Sequence, residues 1–119
     1  MEKQNQDIHE RIYTHIFNVL QLLKRTPRSY ENDVVIGQLI RSITSVGAND
    51  QEADGSFTKA DFIHCYTIAR KEMKESLYWL RLLGDCNIKL KPEINIQLTE
   101  GDEIMRIITV IILNTKKKI

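Results

Sequence analysis

Polar side chains in the middle of the chain have the types and the helical spacing that a ligand or acid–base site requires. Asn49 and Glu52 lie one helical turn apart, Arg41 falls on the same helix face, and Glu72 and Glu75 repeat this spacing further on. Facing one another, these groups could form such a site, or a salt-bridge network that fixes the register of two helices. The sequence shows no nucleophile–histidine pair and no glycine-rich phosphate loop, so we favour the network and predict a protein that is not an enzyme.

A second pattern has the spacing of a metal motif. Asp61-x-x-His64 resembles half of the carboxylate-x-x-histidine pattern of di-iron helical bundles, which need two such motifs and two further carboxylates. The other histidines, His9 and His15, do not repeat the motif. We therefore expect no metal centre and no cofactor, with Asp61 at a helix start and His64 on the surface.

The composition is that of one ordinary globular domain spanning residues 1–119. Apolar residues make up 42% and charged residues 28% of the chain, and two prolines and five glycines leave room for long helices. Seventeen basic residues against sixteen acidic ones give a formal charge of +1. That balance lacks the strongly basic character of a dedicated nucleic-acid binder.

The two cysteines and the apolar runs favour a cytoplasmic protein. Cys65 and Cys86 are too few for a disulfide framework and lie far apart on one predicted helix, so we expect reduced, packed thiols. The N-terminal residues show no signal-peptide pattern. The most apolar run, 104–113, is about half the length that spans a bilayer, so we predict no membrane segment.

Helix-start signals divide the chain into four predicted helices. The first runs from about residue 7 to 25, and the second from about 30 to 53, with Ser29 as N-cap and Gly55 in a left-handed C-terminal position. The third starts at Thr58, where Phe57 and Phe62 should form a hydrophobic staple, and ends near 85 or 86. The fourth starts either at Lys91-Pro92, which we favour, or at Thr99.

Four helices joined by short turns predict an all-α, up-down-up-down antiparallel four-helix bundle. The third helix has two lines of mostly apolar residues, of which the first should face the core. The second line could pack against a neighbouring helix or against another subunit, and it comprises Cys65, Ile68, Glu72, Glu75, Trp79 and Leu82. Because the fourth helix is apolar on most of its circumference over 104–113, we expect a homo-oligomer.

Basic residues give a third functional hypothesis. The candidate nucleic-acid contacts are Arg25, Arg28, Arg70, Lys71, Lys74, Lys116, Lys117 and Lys118. Repetition in an oligomer would turn such small patches into a ring of charge. Weak, salt-sensitive binding of RNA or DNA is therefore an alternative to a purely structural role.

Several motifs in order resemble one known family. They lie between residues 41 and 83 and comprise Ser-Val-Gly-Ala-Asn at 45–49, Glu52, Lys59-x-Asp61-Phe62-Ile63, Ala69, Glu72 and Tyr78-Trp79-Leu80. This pattern resembles the four-helix-bundle proteins of the ribosomal S23 type, first noted as products of intervening sequences within bacterial 23S rRNA genes.

The resemblance implies a bundle that assembles into a ring, typically a pentamer, with a molecular role that is largely undefined. A related branch is an accessory subunit for the reverse transcriptase of diversity-generating retroelements, in which a basic ring binds nucleic acid. The near-neutral charge of this chain differs from that branch. Where the family usually has Asn-Ile-Ala-Glu-Gly, this chain places Asp50 at the apolar position, so we expect that end of the helix to be more open or hydrogen-bonded.

Overall fold

The computed structural model describes residues 7–118 as four helices that pack side by side. They are α1 (Ile8–Lys24), α2 (Tyr30–Asp54), α3 (Lys59–Cys86) and α4 (Lys91–Lys117), with a short 3-10 turn at Ile88–Leu90. Each helix contacts its neighbours in the chain, and α1 also contacts α4, which closes the bundle. The predicted all-α antiparallel four-helix bundle is confirmed.

The predicted helix starts are confirmed by their caps. Ser29 Oγ accepts a 3.0 Å hydrogen bond from the amide of Asn32, and Thr58 Oγ1 accepts one of 3.0 Å from the amide of Asp61. Each bond satisfies a backbone donor that has no partner within its own helix. The fourth helix begins at Lys91 with proline in its first turn, as in the longer of the two predicted helices.

Two local predictions around the turn between α2 and α3 are wrong. Gly55 has φ −94° and is not left-handed, because Ser56 bonds the Ala53 carbonyl through its amide (3.2 Å) and its hydroxyl (2.7 Å). Phe57 is fully exposed, so it does not pack against Phe62. Phe62 turns inward instead, with its ring centroid 5.0 Å from that of Tyr66.

The core consists of two clusters stacked along the bundle. The first lies at the end where α1 begins, and its buried residues are Ile12, Val46, Ala53, Cys65, Tyr66, Ala69, Met73, Ile104, Ile108 and Ile112. The second lies at the opposite end, and its buried residues are Val19, Leu22, Leu23, Leu39, Ile43, Leu80, Leu83 and Ile94. Both clusters draw residues from all four helices, so each cluster packs the whole bundle together.

The two cysteines have different surroundings, and both are free thiols. Cys65 is buried in the first cluster, as predicted. Cys86 is exposed, so the prediction that it packs inside is wrong. As the last residue of α3 it lies where the helix ends and the chain turns away towards the next element.

Candidate functional site

The structure brings part of the predicted polar network together at the outer seam between α2 and α3. Arg41 lies 3.5 Å from a carboxylate oxygen of Glu72 and also pairs with Glu75. The indole Nε1 of Trp79 donates a 2.9 Å hydrogen bond to the same oxygen of Glu75. Arg41 is half-exposed while the glutamates are more covered, so this cluster joins two helices at the surface rather than enclosing a ligand.

Two predicted members of that network lie apart from it. Asn49 Nδ2 donates to the carbonyl (3.0 Å) and the hydroxyl (3.2 Å) of Ser45, one turn back on its own helix. Glu52 is exposed near the end of α2. The contacts of Arg41 with Glu72 and Glu75 thus fix the register of α2 against α3.

The second line of α3 faces α2 within the same chain. Cys65 belongs to the first core cluster and Trp79 packs against the second, while the two glutamates pair with Arg41. Ile68 and Leu82 remain partly exposed at the outer edge of this line. The two predicted alternatives for this line were a neighbouring helix and another subunit, and the single chain shows the contact with the neighbouring helix α2.

A buried carboxylate joins three helices at the end of the bundle where α1 begins. Asp50 is 1% exposed and accepts a 2.7 Å hydrogen bond from the hydroxyl of Tyr66. His9 Nδ1 lies 2.9 Å and 3.0 Å from its two oxygens, and His9 Nε2 lies 3.6 Å from Asp54. The expectation of a hydrogen-bonded Asp50 is confirmed.

The charge on Asp50 changes the proton affinity of both partners. Its hydrogen bond to His9 raises the pKa of the imidazole above 6.5. Burial, together with the hydrogen bond to the carboxylate, raises the pKa of Tyr66 well above its ordinary value. Tyr66 is therefore favoured as a neutral hydrogen-bond donor, and His9 is favoured in its charged form.

Another histidine, His15, is buried between α1 and α4, which the spacing of the histidines in the sequence did not predict. His15 is 1% exposed, its Nδ1 lies 2.9 Å from Oε1 of Gln97, and its Nε2 has no hydrogen-bond partner. Burial lowers the pKa of His15 below 6.5. A Cβ atom on Gly101 would lie only 3.1 Å from Nε2 of His15. The absence of a side chain at Gly101 therefore allows the imidazole to lie close to the backbone of α4.

A buried ion pair adjoins this contact. Arg11 Nη2 lies 2.7 Å from Glu100 and 3.0 Å from Glu103, and Nε makes a second bond of 3.0 Å to Glu100. The side chain of Arg11 is 6% exposed and that of Glu100 13%. Arg11 and His15 lie one turn apart on the stripe that α1 turns towards α4, where helical spacing from Ile8 and Ile12 would have placed them.

An apolar groove of about 500 Å³ runs between α1 and α2. Its lining residues are His9, Ile12, Tyr13, Ile16, Phe17, Leu20, Thr44, Gly47, Ala48, Asp50 and Gln51. Tyr13 and Phe17, one turn apart on α1, remain 67% and 50% exposed beside it. The carboxylate of Asp50 lies at one end and is already bonded by His9 and Tyr66, so the groove offers contact area rather than a reactive group.

The predicted nucleic-acid contacts do not form one surface. Arg25 pairs with Glu93, and Arg28 makes bonds of 2.8 Å and 2.9 Å to Asp33. Arg70 donates a 2.7 Å hydrogen bond to Thr109 beside a shallow groove between α3 and α4. The remaining candidates are exposed: Lys71 and Lys74 on α3, and Lys116, Lys117 and Lys118 at the end of α4. The cations near the first turn are therefore largely neutralised.

The metal hypothesis receives no support from the described residues. His64 is exposed, and Asp61 is a first-turn residue of α3. Over residues 7–118, no three histidine, cysteine, aspartate or glutamate side chains are grouped closely enough to hold an ion. Nor is any helix within that range long and apolar enough to cross a membrane.

Comparison with known proteins identifies the family. The model of the 23S rRNA-intervening sequence protein family matches residues 4–110. The chain belongs to this family. The resemblance seen in the motifs between residues 41 and 83 is thereby confirmed and extends over most of the sequence.

A solved structure has the same fold. The chain superposes with a TM-score of 0.79 on the crystal structure of a protein with unknown function from the S23 ribosomal protein family, from Bacteroides thetaiotaomicron. The two are 30% identical, and the match covers 88% of this chain and 94% of the other. No curated protein matches the chain significantly.

Proposed function

We propose that this protein is a non-enzymatic assembly unit, a helical bundle whose copies associate into a homo-oligomeric ring. One observation carries the proposal: two adjacent aromatic side chains, Tyr13 and Phe17, stay largely in solvent beside an apolar groove. Exposed aromatic side chains beside an apolar groove on a small bundle are typical of a protein–protein contact. The family resemblance supplies the expected copy number, a pentamer.

The polar groups support a structural role. Asp50, His15 and Arg11 each satisfy or pair with groups on another helix, and the described residues place no nucleophile beside a base in a pocket. Buried polar contacts of this kind specify how helices align. The chemistry available to this bundle is therefore recognition between surfaces.

Size-exclusion chromatography with light scattering tests the proposal. The expected result is one species of several times the 13.9 kDa chain mass, near fivefold for a pentamer. A strict monomer across micromolar concentrations would overturn it. An enzymatic turnover that disappears when His9 or Asp50 is replaced, in a variant that still folds, would overturn the non-enzymatic part of the proposal.

Nucleic-acid binding is the second candidate, favoured by the exposed lysines Lys71 and Lys74 on α3 and by the three lysines at the end of α4. Fluorescence anisotropy with labelled RNA and DNA at low salt tests it. A steep loss of affinity with added salt is expected, because each neutralised phosphate releases a counterion. Absence of binding at low salt, or binding that salt does not change, would exclude this role.

A further inference from the structure

The α1–α2 groove has a chemical character that restricts what can occupy it. Its walls are apolar, with Phe17 and Tyr13 on one side and the small residues Gly47 and Ala48 on the other. Small residues on one helix leave room for the side chains of a helix laid alongside it. The groove therefore suits an apolar helix face rather than a polar chain.

One end of the groove has an acidic rim, formed by Asp7 and Asp54. Both are exposed, and both lie beside the groove residue His9, whose amide donates a 3.4 Å hydrogen bond to Asp7. Within the described residues, His9 is the cation that lies within ion-pair distance of this rim, 3.6 Å from Asp54. An occupant that brings positive charge to this end would complement the rim.

The same chain presents a matching surface, the basic end patch, at the C-terminal end of α4. Val110 and Leu113 are 54% and 51% exposed, and Lys116, Lys117 and Lys118 follow them. Lys59, at the start of α3, donates to the carbonyl of Lys118 and adds a fourth cation nearby. The patch thus combines an apolar helix face with positive charge, as the groove requires.

We infer that the α1–α2 groove of one copy receives the basic end patch of the next copy. Val110 and Leu113 would cover Phe17 and the small residues of α2, while the lysines approach the acidic rim. This assignment rests on the proposed homo-oligomer and names the two surfaces that build it. It differs from an interface on the second line of α3, which already packs on α2 within the chain.

The positions of the two surfaces define a head-to-tail contact between copies. In an antiparallel bundle α1 begins, α2 ends, α3 begins and α4 ends at the same end, so both surfaces lie at the same height. They are different surfaces, so the contact is head-to-tail rather than two-fold. The groove lies between α1 and α2, whereas, among the described residues, α4 makes no contact with α2 and lies diagonally across the bundle from it. Neighbouring copies are thereby rotated, and a head-to-tail contact gives a ring where that rotation divides the full circle and an open filament where it does not.

Two variants that each remove one surface test the inference. Ala48→Arg fills the groove from an exposed helix position, and Leu113→Glu with Lys117→Glu reverses the end patch. Thr67→Arg, on the exposed face of α3, is the matched control. Circular dichroism should show all three to be folded, so that any loss of mass reports on assembly.

The expected masses distinguish the inference from its alternatives. Each surface variant alone should have the 13.9 kDa mass of the monomer, and the Thr67→Arg control should keep the mass of the wild-type assembly. Mixing the two surface variants should give a 1:1 dimer, because one intact groove meets one intact patch. A mixture that stays monomeric would indicate a two-fold contact and overturn the inference.

Two further outcomes separate the inference from the proposed function. If wild type is a multimer and Ala48→Arg leaves it intact, the groove belongs to another occupant and the inference fails while the assembly role stands. If wild type is a monomer, both fail. Trp79→Phe, which removes only the indole donor at the α2–α3 seam, should leave the mass unchanged; dissociation would move the interface to α3.

Discussion

The hydroxyl of Tyr66 donates a 2.7 Å hydrogen bond to Oδ1 of Asp50, and both side chains are 1% exposed. The bond places a carboxylate at the edge of an apolar cluster without leaving it unsatisfied. Removing one partner of such a pair costs more than the bond contributes, because the other group stays buried and loses its partner. The stability of this region therefore depends on the pair rather than on either residue.

Replacing the two residues separately and together should reveal this coupling. We expect Tyr66→Phe and Asp50→Leu each to lower the free energy of unfolding by about 1–3 kcal/mol. The double variant should lose less than the sum, since neither the Tyr66 hydroxyl nor the Asp50 carboxylate is then left without the other, and the loss at His9 is common to both variants that lack Asp50. Urea unfolding measures all three, with Tyr78→Phe, at a 60% exposed position, as a control near zero. Strict additivity would contradict the coupling.

The free energy of unfolding should depend on pH through two histidines of α1, with one limb of the profile above pH 6.5 and the other below it. The raised pKa of His9 means that its contribution is complete below pH 6.5 and is lost as the pH rises through the folded-state value. The lowered pKa of His15 has the opposite effect: the folded state prefers the neutral ring, and stability falls as the pH drops below 6.5. Stability arising from these two groups should therefore be greatest near pH 6.5.

Thermal unfolding between pH 5 and pH 8 checks each limb. His9→Gln should flatten the alkaline side and leave the acid side, whereas His15→Gln should flatten the acid side. His64, which is exposed, provides the control: His64→Gln should leave the profile unchanged. A profile in which neither replacement alters its own limb would show that other groups set the pH dependence.

The two carboxylates that bind Arg11 should differ in their importance. Glu100 is nearly buried and makes two hydrogen bonds to the guanidinium, while Glu103 is 46% exposed and makes one. Glu100→Ala should cost about 3–5 kcal/mol because it leaves a buried charge with one remaining, exposed partner. Glu103→Ala should cost about 1 kcal/mol or less, as for surface pairs. Equal losses in chemical denaturation would contradict this ranking.

Two glycines in α2 should respond differently to alanine. A Cβ on Gly37 would meet no atom within 4 Å, so Gly37→Ala should raise stability by about 0.5–1 kcal/mol through helix propensity. A Cβ on Gly47 would lie 2.9 Å from Cδ1 of Ile16, so Gly47→Ala should gain less or lose stability. Comparison of the two melting temperatures tests the local packing, and a larger gain at Gly47 would contradict it.

Local chemistry made the helices predictable from the sequence, and its absence explains the errors. Ser29 and Thr58 cap amides within three residues, so their effect can be read along the chain. The conformation of Gly55 and the side chain of Phe57 depend on competing contacts, such as the hydroxyl of Ser56 and the inward turn of Phe62. Sequence spacing cannot rank such contacts.

The candidate site was less predictable because its parts come from distant helices. The pairing of Arg41 with Glu72 and Glu75 was foreseen, since charges at helical spacing on two helices suggest a bridge. The burial of His15 was missed, although its position three residues after Ile12 places it on the apolar stripe of α1. The groove between α1 and α2 depends on how far two helices stand apart, and helical periodicity carries no information on that distance.

The bond between His9 and Asp50 has a consequence for how the chain finds its fold. The apolar residues of α1 recur every turn, so a shift of α1 by one turn, about 5.4 Å, would exchange one isoleucine contact for another. The same shift would carry the imidazole away from Asp50 and leave a buried carboxylate short of its cation. Misaligned bundles are thus disfavoured by this ion pair at the α2 side of α1, as they are by the pairing of Arg11 with Glu100 at its α4 side.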